Sequence, residues 1–214
     1  MAKRLLPFRQ YNEHDVVNMF ALDTGSVNNS ITDVGNGDAG VFVKIKQGNL
    51  NNEPVTYASS TYLGKTDYPF VGSNGYPVVQ LQVFPASGMD RALGLTLWET
   101  AMYDENGEKL LYYPQKAHEN QVLLPGQSVP VATRGIFTLT DKAFNDSANF
   151  AVGNPFTLSS NGGKITGQAA NYVPTGLSDR PVLGTVLATG SRSTLVSNTP
   201  DAYAGKYAIV KLGL

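Results

Sequence analysis

The chain has 214 residues, a formal net charge of −1, 42% hydrophobic and only 15% charged residues, and no cysteine. That length can bury a full core, enough for one elaborated domain or two small ones, while the low charged fraction and the plentiful Gly, Asn, Ser, Thr and Tyr favour turns and strands over helices. A near-zero charge without a basic stripe argues against nucleic acid as a partner, and the lack of cysteine excludes a disulfide framework, a thiolate metal site and a cysteine nucleophile.

The first residues, Met1-Ala2-Lys3-Arg4-Leu5-Leu6-Pro7-Phe8-Arg9, have a charged start but no apolar run of the secretory type. Nowhere does an apolar stretch approach the ~20 residues of a membrane helix. The expectation is therefore a protein made and kept in the cytosol, or released by lysis, with no membrane partner. Pro7 blocks a helix through this segment. Further on, Val16, Val17, Met19, Phe20 and Leu22 fit a short helix face or a strand, with Asn12 or Asp15 as a cap. Residues 1–22 are read as a largely extended arm that packs either on its own barrel or on another subunit, adding a strand there.

Residues 23–125 read as a first β module. A loop rich in Gly, Asn, Ser and Asp over 23–38 leads to the strand signal Val41-Phe42-Val43-Lys44-Ile45-Lys46, whose expected partner is Val55-Thr56-Tyr57. Asp23, Asp33 and Asp38 in that loop lack the alternating ligands and closing Glu of a calcium loop, so no metal is expected there. Tyr57, Tyr62, Tyr68 and Tyr76 crowd the next stretch; a large, rigid ring with a polar tip suits an interface or glycan contact as well as an ordinary sheet. Residues 78–84 form a strong strand that ends at Pro85.

Leu93-Gly94 heads an alternating apolar strand, as Leu183-Gly184 does ninety positions later, a pairing consistent with two related β modules. Between them, Tyr103-Asp104-Glu105-Asn106-Gly107-Glu108-Lys109 reads as a hairpin turn with Asn-Gly at its tip. Leu110-Leu111-Tyr112-Tyr113 is its expected return strand, and a polar loop over 115–120 follows.

Residues 126–214 read as a second module, a β-barrel. Pro125-Gly126 marks a turn, Val129 and Val131 alternate, Gly135 interrupts, and Ile136-Phe137-Thr138-Leu139 resumes. A glycine inside such a pattern marks a bulge, a sharp bend or a close backbone approach. Gly163-Lys164-Ile165-Thr166-Gly167, Val182-Leu183-Gly184-Thr185-Val186-Leu187 and Lys206-Tyr207-Ala208-Ile209-Val210-Lys211-Leu212 continue the series of short strands. The predicted fold is all-β: two small β-barrel or β-sandwich modules with an extended N-terminal arm.

Chemistry-bearing constellations are scarce. His14 and His118 have no metal-ligand spacing, and a nucleophile elbow, a P-loop and a dinucleotide fingerprint are missing from the sequence. Carboxylate pairs such as Asp104 and Glu105 fall in turns, where solvation accounts for them. The expectation is no enzyme, no catalytic residue, no metal and no cofactor, although a paired-carboxylate glycosidase could still assemble from residues far apart in sequence.

The order Val-Pro-Val, Gly-x-Phe, Gly-Lys-Ile and Leu-Gly-Thr-Val-Leu, closing on the strand before Lys211-Leu212-Gly213-Leu214, resembles the small β-barrel decoration, or cement, proteins of tailed-phage heads. The N-terminal half, with Arg4-Leu5-Leu6-Pro7-Phe8-Arg9, also resembles head-decoration proteins of marine tailed phages. The likeness is closest over 126–214 and looser before it, and the N-terminal module is an addition to the smallest cement proteins. The resemblance implies a virion structural protein, commonly a homotrimer, that binds the outer capsid surface and bridges major capsid protein subunits after assembly in the host cytoplasm. Arg4, Leu5, Leu6, Phe8, Arg9 and Tyr11 would then form a capsid-binding arm, adding a strand to the shell, with the apolar side chains in capsid pockets and the arginines on carboxylates. The alternative is a head-fibre or receptor-binding module that uses Tyr57, Tyr62, Tyr68 and Tyr76 on a glycan or host receptor.

Overall fold

Residues 3–46, 82–145, 148–176, 179–192, 195–196, 199–200 and 204–213 are described in a computed structural model. The strands are β1 (Leu5–Gln10), β2 (Val16–Leu22), β3 (Asn28–Ser30), β4 (Phe42–Lys46), β5 (Gln82–Pro85), β6 (Gly94–Thr96), β7 (Glu99–Tyr103), β8 (Val122–Leu123), β9 (Ser128–Ala132), β10 (Arg134–Thr140), β11 (Phe144–Asn145), β12 (Pro155–Leu158), β13 (Ile165–Gly167), β14 (Val182–Arg192), β15 (Leu195–Val196), β16 (Thr199–Pro200) and β17 (Gly205–Gly213). One short helix, α1 (Pro114–Glu119), is the α-helix among the described residues. The chain is mostly β, as its composition leads one to expect.

Three groups of strands carry the fold. A seven-stranded sheet runs β1-β10-β17-β14-β12-β13-β11, a closed barrel runs β2-β5-β4-β6-β9, and a smaller sheet runs β3-β7-β8. In β17 the alternation is regular: Ala208, Val210 and Leu212 are buried and the residues between them are not, so one face of the strand meets the core. Phe137 and Leu139 of β10 and Leu183 and Val186 of β14 join that core, together with Leu5, Phe42 and Leu95. A second cluster, Phe20, Leu22, Val41, Val43, Val83, Val129 and Val131, fills the barrel with inward residues from alternating positions.

The strand groups cut across the segments 1–22, 23–125 and 126–214. β1 belongs to the seven-stranded sheet and β2 to the barrel; likewise β9 closes the barrel while β10 enters the sheet. Both crossings happen at one place. The Asp15 carbonyl accepts from the Thr133 backbone N–H at 2.8 Å and from its hydroxyl at 2.9 Å, pinning the two switch points together. Asn12 caps the 3-10 turn Glu13–Asp15 there by accepting from the His14 N–H, and the segment that read as helix or strand continues as β2.

Gly135 has φ +141°, and a Cβ on it would sit 2.7 Å from the Gln10 carbonyl oxygen and 2.9 Å from Tyr11 Cβ. The sequence signal of a bend or close approach is met on both counts. The two Leu-Gly pairs share a role as well: a Cβ on Gly94 would overlap the Ala132 carbonyl, and one on Gly184 the Lys211 carbonyl. Each glycine lets a neighbouring strand close in.

The region after the Asn106-Gly107 turn departs from expectation. Tyr103 and Lys109 form a single bridge, but Leu110–Tyr112 is a 3-10 helix rather than a return strand, and the expected polar loop is α1. Pro114 is the cause, since its fixed φ and missing N–H suit the first turn of a helix and not a paired strand. Leu110 and Ala117 are thereby turned into a third cluster with Ile31, Ala101, Val122 and Leu124. The expected partner strand around Val55, Thr56 and Tyr57, and residues 78–81 of the next one, lie outside the described residues.

Candidate functional site

The N-terminal strand is where charge, burial and a cavity coincide. β1 pairs antiparallel with β10, matching Leu5 to Leu139 and Arg9 to Phe137, with the ladder interrupted between those two pairs. Pro7, which has no N–H to donate, sits in the interruption; this is a tolerated place for proline because β1 is the sheet's outermost strand. Beside the strand lies a cleft of about 270 Å³, with Lys3, Pro7 and Arg9 on one wall and Asp38, Glu99 and Gln121 among the residues of the other.

At one end of the cleft, Arg4 Nε donates to Asp38 Oδ2 at 2.8 Å, and both side chains are buried. Asn28 Nδ2 donates to the other carboxylate oxygen at 2.7 Å, the Gly35 N–H donates to it at 3.1 Å, and Asn28 Oδ1 accepts from the Gly37 N–H at 2.9 Å. Burial still wins for Asp38: it raises the carboxyl above the usual range despite the opposing Arg4 charge and these donors.

Glu99, the first residue of β7, is 6% exposed, with Lys3 Nζ 3.6 Å from its Oε2. Its Oε1 is buried without a hydrogen-bond partner, and so is Nη1 of Arg4. Burial pushes the Glu99 carboxyl up to about 7, the Asp38 charge adding to the rise and Lys3 and Asn28 opposing it. Further along, Arg9 donates to the Leu97 carbonyl and to Gln121 Oε1, each at 3.2 Å.

The six residues expected to form a binding arm thus have different fates. Arg4, Leu5 and Leu6 are buried within the chain itself, and Arg9 is half-buried in the cleft. Phe8, at 60% exposed, and Tyr11 face outward; the Tyr11 ring stacks on Phe137 with centroids 5.9 Å apart. Tyr57, Tyr62, Tyr68 and Tyr76 lie outside the described residues.

The other titratable side chains singled out from sequence are dispersed. Asp23 pairs with Lys46, Asp33 accepts from the Ser30 N–H, and His14 and His118 are exposed, the latter with its ring 5.9 Å from that of Trp98. Asp104 and Glu105 share Lys116, which holds both carboxyls below the usual range. Among the described residues no three acidic, histidine or cysteine side chains are grouped to hold a metal ion.

Sequence reading missed Glu99 and Asn28 as partners of the arm. The available signal was a carboxylate, Glu99, set directly after the apolar run Leu93 to Trp98, where a buried charge calls for an explanation. Comparison of the chain with protein-family models, with curated proteins and with solved structures finds no match in any of the three.

Proposed function

We propose that the chain is a virion structural protein that binds the outer surface of a tailed-phage capsid as a homotrimer and stabilises the shell by bridging major capsid protein subunits. The motif order along residues 126–214 motivates this reading, and the all-β architecture suits it. The observation that carries it is the exposure of Phe8 on a strand whose neighbours Leu5 and Leu6 are buried. A large apolar ring is held outward on a fixed support, so little ordering cost attends its docking.

The mode of attachment differs from free strand exchange. β1 already pairs with β10, and its outer edge is blunted by Pro7 and by the break in register. Contact is therefore through side chains, Phe8 and Tyr11 above all, and not through transfer of β1 into a capsid sheet. A clamp of this kind stabilises the assembled shell by its binding free energy and needs no catalytic residue or cofactor.

Burying Phe8 contributes ~1.5–3 kcal/mol, so Phe8→Ser should weaken binding roughly tenfold or more. Cosedimentation of the wild-type and Phe8→Ser proteins with undecorated heads of the phage that encodes the chain measures this. Failure of the wild-type protein to bind heads would overturn the function; equal binding by both proteins would remove Phe8 from the contact.

A further inference from the structure

Glu99 Oε1 is a buried acceptor with neither a protein donor nor a solvent-accessible surface. Such an oxygen is tolerable when it carries a proton and costly when it carries charge. What covers it is the start of the N-terminal strand. Lys3 and Arg4 reach the cleft from just before β1, Arg9 from β1 itself, Asp33 and Asp38 from the loop before β4, and Asn120 and Gln121 line it with neutral amides. Arg4 is committed to Asp38 and Arg9 to the Leu97 carbonyl and Gln121, which leaves Lys3, 3.6 Å away and partly exposed, as the cation paired with Glu99.

The covering segment has few backbone attachments, although the Arg4 and Leu5 side chains that follow Lys3 are buried. Its backbone attachments are the Lys3 carbonyl, which accepts from the Thr140 hydroxyl at 2.7 Å, and the Arg4 carbonyl, which accepts from the Thr140 N–H at 2.8 Å. Beyond Leu5 the ladder is interrupted until Arg9. A short segment at the edge of a sheet, secured by few backbone bonds, is the kind of unit that opens locally while the rest stays folded.

We propose that Glu99 is a pH-sensitive latch on the N-terminal strand: neutral, it lets the first residue of β7 close against Lys3 and Arg4; ionised, it admits water to the cleft and loosens that end of β1. Ionisation also strengthens the attraction to Lys3, so two effects compete. The carboxyl's rise to about 7 is their net result, and it shows that loss of hydration outweighs the ion pair. The direction follows. The closed form is favoured at low pH and loses its advantage as pH rises through about 7. This inference concerns the chain alone and is independent of the capsid reading.

Amide hydrogen exchange of the whole protein at pH 5.5 and pH 8, with rates corrected for intrinsic chemistry, tests the latch, beside the same measurement on Glu99→Gln. With a carboxyl at 4.5 in the open form and about 7 in the closed one, the change between pH 5.5 and pH 8 is limited to roughly 30-fold. At least a tenfold loss of protection is expected for the Thr140 amide of the wild-type protein, which donates to the Arg4 carbonyl, and a much smaller one for Glu99→Gln. Equal protection at both pH values in the wild-type protein, or the same loss in Glu99→Gln, would overturn the proposal.

Trp98, the single tryptophan, adjoins Glu99 and gives a second readout by fluorescence titration. His118 lies against the same ring, so a His118→Gln variant is the control for that contact. A transition near neutrality that survives His118→Gln and disappears in Glu99→Gln supports the latch. One that disappears in His118→Gln and survives in Glu99→Gln counts against it.

Discussion

Replacing Gly135 by alanine perturbs the junction of the two sheets in two separable ways. The backbone there has φ +141°, a conformation that L side chains rarely adopt, costing ~1–3 kcal/mol. The added methyl would also meet the Gln10 carbonyl at 2.7 Å and Tyr11 Cβ at 2.9 Å, and overpacking of this degree costs another ~1–3 kcal/mol. A combined loss of about 3 kcal/mol should lower the melting temperature by ~6–12 °C for a domain of this size. Two other glycines isolate the contributions. Gly107 has φ +80° with open space around it, so Gly107→Ala carries the conformational cost alone. Gly184 has no positive φ but faces the Lys211 carbonyl, so Gly184→Ala carries crowding alone. Calorimetric melting of the three variants should place Gly135→Ala below Gly107→Ala by several degrees. Equal melting of those two would refute close packing of β1 on Gly135, and a Gly135→Ala protein within 2 °C of wild type would refute the backbone argument as well.

Arg4→Met should cost ~3–5 kcal/mol in urea denaturation, because Asp38 is then buried without its cation, and adding Asp38→Asn should recover part of the loss. Deleting residues 1–9 removes Leu5 and Leu6 from the interior at ~1.5–3 kcal/mol each, so the truncated chain should melt well below the intact one; an unchanged transition would mean that β1 adds nothing to the fold. Glu99 has its folded pKa at about 7 against 4.5 for the free side chain, so its contribution is fully present below about 4.5 and lost as pH rises through 7. Stability should therefore fall by up to about 3 kcal/mol between pH 4 and pH 8, and Glu99→Gln should flatten that slope apart from the share belonging to Asp38, whose carboxyl is also raised.

Alternation made β17 legible, because Ala208, Val210 and Leu212 are buried and the residues between them are not. Phe42 to Lys46 and Ile136 to Leu139 are strands as well, but consecutive residues are buried in each, so their β-branched and aromatic content marks them rather than a period of two. Gly135 was legible too, since a glycine in a β run has few other uses. The helix at Pro114 was not, because its apolar spacing rests on Leu110 and Ala117 alone and the polar residues around them look like a loop. Least legible was the fate of the arm. Leu5 and Leu6 are apolar in a short extended segment whether they serve a partner or their own core, and the choice is made by strands far along the chain. The same holds for Glu99, whose environment is assembled from Lys3, Asn28 and Asp38.

The pairing of Leu5 with Leu139 bears on how the chain is made. The second residue of that pair leaves the ribosome 134 positions after the first (139 − 5). At roughly 5–20 residues per second, the N-terminal strand waits ~7–27 s for the strand that receives it. Throughout that interval Leu5, Leu6 and Phe8 are exposed on the nascent chain. Pro7 then serves a second purpose. By interrupting the run of amides in the waiting segment, it lowers the chance that two nascent copies pair with each other before β10 arrives.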